Sequence, residues 1–300
     1  MSEKARVTAL GVFDGAHIGH AELFKKTREI AENKGLRSTV LSFDLHPDML
    51  VKNEDVELIC DLEGRTELIK HKFDIESVIY LHFSESMMKM DWKRFIDDIR
   101  EQFCITHFVV GADFVFGYKG AGSAEKLKEY GKEKGFGCEI VDEIMLGGAP
   151  VSSSRIRELI KKGEIERANV LLGYPHSLTG SVIYGLRLGR KLGVPTINMA
   201  MPPQVVVPRF GVYATRAYTG GELSYMAVTN VGVKPTVSES NRVSVETYLI
   251  DFSGDLYDKK VKLEFYKFLR PERKFNNLND LSDCIKRDIK AAEEYLRNNS

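Results

Sequence analysis

A ten-residue stretch, Gly11-Val12-Phe13-Asp14-Gly15-Ala16-His17-Ile18-Gly19-His20, sets the terms for everything around it. The apolar run Val7-Thr8-Ala9-Leu10 before it predicts a buried strand, and residues 21–34 after it predict a helix. A glycine-bearing turn from strand to helix near the N-terminus is where an α/β sheet takes its ligand. His17 and His20 are three residues apart and share a face on a helix that starts there. The helix N-terminus adds unpaired N–H groups and partial positive charge. Gly15 and Gly19 leave the backbone open to a phosphate. Alone, a His-x-x-His pair reads as two surface histidines or part of a metal site. No cysteine or carboxylate stands beside it at ligand spacing, which makes zinc a weak reading.

The chain of 300 residues has room for one large or two ordinary domains. Its 43 basic and 43 acidic residues cancel, so no global field favours nucleic acid. No apolar run is long enough to span a bilayer, and the first six residues lead straight into the first strand, so neither a membrane segment nor a signal peptide is expected. Cys60, Cys104, Cys138 and Cys284 are scattered, which predicts reduced thiols in a cytoplasmic protein rather than a disulfide framework.

Strand and helix then alternate. Strands are expected at 38–43, 77–83, 104–110 and 138–145, and helices at 65–73, 88–103 and 123–134. The 88–103 helix is expected to bury Met88, Trp92, Phe95, Ile96 and Ile99, with Trp92 in the core. This alternation predicts a right-handed, mostly parallel sheet. His46 precedes Pro47, which marks a loop at a strand end. Gly111-Ala112-Asp113-Phe114-Val115-Phe116-Gly117 ends another strand. In Val151-Ser152-Ser153-Ser154-Arg155-Ile156-Arg157 the serines suit a helix N-cap. Capping does not explain the two arginines, which the helix dipole disfavours there; a bound anion does. Beyond Gly173-Tyr174-Pro175 the pattern changes to short β segments punctuated by Gly and Pro, then one helix at 280–298. That predicts a small β-barrel with a terminal helix. Thr196 and Asn198 fall on one side of a strand, and Glu246 lies on the opposite face from Val245 and Thr247.

These strings together resemble the bifunctional riboflavin kinase/FAD synthetase family. Gly-Val-Phe-Asp-Gly-x-His-x-Gly-His is similar to its nucleotidylyltransferase signature. Gly185-x-x-x-Gly189-Arg190-x-Leu-Gly-x followed by Pro195-Thr196-Ile197-Asn198 resembles its flavokinase signature, with Ile197 where the family usually has alanine. Asp44-Leu45-His46-Pro47 departs from Phe-x-Pro-His-Pro by Leu45. The resemblance implies an α/β architecture: an N-terminal Rossmann-like nucleotidylyltransferase domain with a parallel sheet, residues 1–172, then a small C-terminal β-barrel flavokinase domain with a terminal helix, residues 173–300. It implies ATP and Mg²⁺ as requirements, and riboflavin, FMN and FAD as substrates or products.

For the transferase it implies Gly11, Phe13, His17, His20, Ser153, Ser154 and Arg157 on ATP, with His17 and His20 catalytic, and His46 and Asp113 on FMN. For the kinase it implies Gly185, Gly189, Arg190, Thr196 and Asn198 on ATP, Thr196 and Asn198 on the metal, and Glu246 and Arg270 on the flavin, with Glu246 as the general base. Asn230 stays outside this set. Thr196 and Asn198 are neutral oxygen donors of the kind that suits Mg²⁺. Two other readings are a kinase with a silent first domain and a flavin or nucleotide sensor without turnover. The intact histidines and serine–arginine string speak against the first, and the intact Pro-Thr-x-Asn and Glu246 against the second.

Overall fold

The computed structural model describes residues 4–184, 194–220, 223–234, 242–275 and 277–299. The chain forms two compact units, one of Met1–Glu57 with Leu62–Ser153, the other of Leu58–Asp61 with Ser154–Ser300.

The first unit is built on β1 (Arg6–Leu10), β2 (Arg37–Phe43), β3 (Ser77–Leu81), β4 (Ile105–Gly111) and β7 (Gly137–Val141), in the order β3-β2-β1-β4-β7 and all parallel. β1 is buried along its whole length, as a central parallel strand must be. The order reverses between β1 and β4, which opens a crevice at the C-terminal ends of those two strands. Helix α1 (Ile18–Lys34) buries Leu23, Phe24, Thr27 and Ala31 and stops at Gly35, whose φ of 61° lets its N–H cap the last turn. Between the larger elements lie α2 (Pro47–Val51), α3 (Leu62–Glu67), α4 (Glu85–Met88), α5 (Trp92–Phe103), the short β5 (Val115–Phe116) and β6 (Gly122–Ser123), and α6 (Ala124–Lys134).

Two expectations need correction. The predicted helix over 88–103 is two helices: Met88 ends α4, and Asp91 caps α5 by accepting hydrogen bonds from the Lys93 and Arg94 N–H groups. Phe95, Ile96 and Ile99 are buried as expected, and Trp92 packs edge-on against Phe116 and Tyr130. The last strand of the sheet ends at Val141; Met145 belongs to a separate hairpin of β8 (Met145–Leu146) and β9 (Ala149–Pro150).

α7 (Ser153–Lys162), which belongs to the second unit from Ser154 on, and α8 (Ile165–Leu172) precede a closed barrel. Its strands are β10 (His176–Ile183), β11 (Thr196–Ala200), β12 (Gly211–Tyr218), β13 (Ser224–Lys234), β14 (Arg242–Leu249) and β15 (Lys260–Pro271), in the order β10-β11-β14-β13-β12-β15. The period-2 alternation decides the two faces. Thr215, Thr229 and Thr247 are fully buried and linked hydroxyl to hydroxyl at 2.8 and 2.9 Å. On the opposite face Val212, Ala214 and Val228 pack against Ala292 and Leu296 of α9 (Leu278–Asn298). Leu58 adds a parallel bridge to Val205, with the Leu58 N–H on Gln204 O at 2.6 Å and the Val206 N–H on Leu58 O at 2.7 Å.

Candidate functional site

In the first unit the turn after β1 is strained. Phe13 and Ala16 sit at φ 53° and 36°, where non-glycine residues are uncommon, and Gly15 at φ 72°. Side chains hold it: Ser42 Oγ donates to Val12 O at 2.8 Å and Ser153 Oγ to Asp14 O at 2.9 Å. His17 stands at the N-cap of α1 and His20 one turn on. Their rings stack, with centroids 3.6 Å apart and planes 17° from parallel. Burial lowers His17 to about 4. His20 falls well below the usual histidine range through burial, then through its neighbours His17 and Arg65. Both rings are therefore neutral at pH 7. The Nδ1 atom of each is buried without a hydrogen-bond partner, which a polar ligand could satisfy.

A cavity of about 1010 Å³ brings together Gly11, Phe13, His20, His46, Asp113 and Ser153. The His46 ring caps α2 by accepting from the Asp48 N–H at 3.2 Å, so it has a structural task as well as a place in the cavity wall. Ser154 and Arg157 fall in the second unit, further along α7, where Arg157 Nη2 donates to Ser154 Oγ at 3.1 Å. The helix begins at Ser153, so both arginines lie in its first turns. The apolar wall of the cavity was missed from sequence: Met87, Met88, Phe114 and Phe116 line it, the two phenylalanines stacked 5.0 Å apart. The aromatic spacing of Phe114 and Phe116 was the available signal. For Met88 there was none, because its place depends on the break before α5.

In the second unit, strand register assembles the residues. Asn198 on β11 pairs with Glu246 on β14, and Glu246 pairs with Asn230 on β13. Directly opposed residues share a face of the sheet, so the three form a row across adjacent strands. Thr196 is two residues along, opposite Tyr248. Asn198 is buried, Ser244 Oγ donates to Glu246 Oε1 at 3.4 Å, and Asn230 Nδ2 donates to Glu272 Oε1 at 3.2 Å. Glu272 lies against Gly232, where any Cβ would overlap its carboxylate. Asn230, left out of the sequence set, thus belongs to the row, and Glu272 reaches it through that hydrogen bond. Arg270 is clamped by Asp288 of α9, its Nε at 3.0 and 3.1 Å and its Nη2 at 2.8 Å from the carboxylate oxygens. Gly185, Gly189 and Arg190 lie outside the described residues.

The donor set fits a hard cation. Thr196 and Asn198 offer neutral oxygens, and among the described residues no group of three or more His, Cys, Asp and Glu could hold a metal by itself. A magnesium ion here would rest on these oxygens and on substrate phosphates.

A parallel sheet with a buried histidine turn at its switch point, followed in the chain by a closed barrel carrying an Asn–Glu–Asn row, fits a two-domain transferase. The FAD synthetase family model matches residues 1–155 and the riboflavin kinase model residues 172–296. The bifunctional riboflavin kinase/FMN adenylyltransferase of Bacillus subtilis is 36% identical over 296 residues, covering 97% of this chain and 93% of its own. That of Listeria monocytogenes is 33% identical, covering 94% and 90%, and that of Escherichia coli 30%, covering 97% and 92%. A crystal structure from Streptococcus pneumoniae, described as a macrolide-efflux protein, superposes with a TM-score of 0.86 at 27% identity, covering 98% of this chain and 95% of that one. Among the described residues no helix is long and apolar enough to cross a membrane. The chain belongs to the bifunctional riboflavin kinase/FMN adenylyltransferase family, with both enzyme domains present.

Proposed function

We propose that this chain phosphorylates riboflavin to FMN in residues 173–300 and adenylylates FMN to FAD in residues 1–172, both with ATP. The spans of the two family models support that division. The observation that carries the reading is the convergence of Gly11, Phe13, His20, His46, Asp113 and Ser153, far apart in sequence, on one cavity.

In the kinase step Glu246 takes the proton of the ribityl 5′-hydroxyl, whose oxygen attacks the γ-phosphorus as ADP leaves. Thr196 and Asn198 would hold a Mg²⁺ ion, which would supply charge neutralisation for the ATP phosphates. Gly185, Gly189 and Arg190 are the further ATP contacts of this reading, and Arg270 lies on the flavin side. In the transferase step an FMN phosphate oxygen attacks the α-phosphorus of ATP, the α–β bridging bond breaks and pyrophosphate leaves. Neutral His17 and His20 donate hydrogen bonds to the phosphates as charge builds up, Ser153 holds the turn, and His46 and Asp113 hold FMN; Ser154 and Arg157 are further ATP contacts of this reading. The stacked phenylalanines support a planar flavin on that side. ATP, riboflavin and FMN are the partners, and the cytoplasm is the compartment that supplies them.

The test is a time course of the purified chain with riboflavin, ATP and Mg²⁺, the flavins separated by chromatography. FMN rising first and FAD after it is the expected result. FMN alone, with no FAD even from supplied FMN, leaves a kinase with a silent first domain. Bound but unconverted riboflavin makes the chain a sensor.

A further inference from the structure

The transferase unit contains a buried charge that none of its motifs uses. Arg65, in α3, is 1 % exposed. Its Nη1 donates to Val12 O at 2.9 Å, to Phe43 O at 3.3 Å and to Ser42 Oγ at 3.4 Å. Val12 opens the strained turn that leads to His17, and Phe43 ends β2, three residues before His46. One guanidinium therefore ties together the C-terminal ends of two adjacent parallel strands, at the edge where the cavity lies.

Its acceptors are all neutral. Among the described residues no carboxylate pairs with it, and its Nε is buried without a hydrogen-bond partner. A buried cation without a counter-charge is expensive, and a site keeps one only where an anion or a positioning task returns the cost. The histidines do not duplicate that charge, since burial holds both neutral. Lys52 and Lys119 also line the cavity, but both are exposed and Lys52 is paired with Asp48 at 2.9 Å. Arg65 is the fixed positive charge buried behind the turn.

We propose that Arg65 is a positioning residue for adenylyl transfer: it locks the turn before His17 to the end of β2, and its charge is balanced by the phosphates that dock over that turn. The inference rests on the transferase reading of this unit.

The experiment uses the full chain and its R65M, R65K and R65Q variants. FAD formation from FMN and ATP is measured alongside the riboflavin kinase activity of the same preparations, with inorganic tripolyphosphate as an anionic probe. R65M is expected to lower kcat for FAD formation at least a hundredfold and to raise the inhibition constant of tripolyphosphate at least tenfold, with kinase activity within twofold. R65K is expected to regain at least tenfold in kcat, because it keeps the charge. FAD formation within threefold of normal in R65M overturns the proposal. So does an R65K no better than R65M with tripolyphosphate inhibition unchanged, the pattern of a merely structural side chain. Should R65M lose both activities by misfolding, R65K against R65Q decides: a more active lysine variant upholds the role of charge, and an equal or more active glutamine variant refutes it. An unmodified chain that makes no FAD removes the transferase reading itself, a result separate from these.

Discussion

The two candidate sites are assembled by opposite means. In the first, a helix start and a strained turn gather buried, neutral imidazoles, and local sequence does most of the assembly. In the second, Asn198, Glu246 and Asn230 come from three strands, and only the pairing register puts them together. The difference teaches where each site is fragile: the first to the loss of backbone geometry and burial, the second to a slip of one residue, which would turn Glu246 to the barrel interior.

The sharpest way to break the contrast is to silence one site and watch the other. Glu246→Gln is expected to slow riboflavin phosphorylation by about 10²–10⁴-fold, the usual worth of a general base, while FAD formation from supplied FMN stays within about twofold. Both are read by flavin chromatography, and an unimpaired kinase removes Glu246 from the base role. His20→Ala is expected to do the reverse, costing FAD formation roughly 10²–10³-fold, the scale of one lost charge-stabilising donor, with FMN formation near normal. Equal loss of both activities would break the two-site description.

Gly117→Ala sharpens the contrast in stability. Gly117 sits at φ 73° and its added Cβ would crowd the Trp92 backbone, with Cα at 2.8 Å. A loss on the order of 2–3 kcal/mol is expected from overpacking and strain, seen as an earlier thermal transition of the first unit.

Acid provides the mildest test. His17 and His176, one in each unit, are both lowered by burial from 6.5 to about 4. Between those values the unfolded chain binds the proton and the native one does not, so stability is full above 6.5 and falls as pH drops toward 4. Each contributes a slope of up to about 1.4 kcal/mol per pH unit in that window. Denaturant titrations at pH 7 and 5 should show the loss, and His176→Phe should flatten it in the barrel unit alone.

The alternation of strands and helices, the histidine turn and the barrel were legible because each rests on local periodicity or punctuation. What was illegible depended on long-range pairing or burial. Asn230 stayed outside the sequence-based set until its register placed it opposite Glu246. Arg65 looked like an ordinary charged helix residue, since nothing local signals that its guanidinium lies under two strand ends. The break between α4 and α5 turned on Asp91 acting as a cap, a single-residue choice that apolar spacing across 88–103 concealed.

The four residues Leu58–Asp61 belong to the barrel unit although the sequence on both sides of them belongs to the other. The ribosome releases them long before the Gln204–Val206 backbone that Leu58 bonds to. During synthesis those two backbone groups lack these partners until residues 204–206 have been made. Gene dissection inherits the same interleaving: a chain begun at Ser154 lacks a bridge partner that a single cut cannot restore, and supplying Leu58–Asp61 as a separate peptide becomes a complementation experiment.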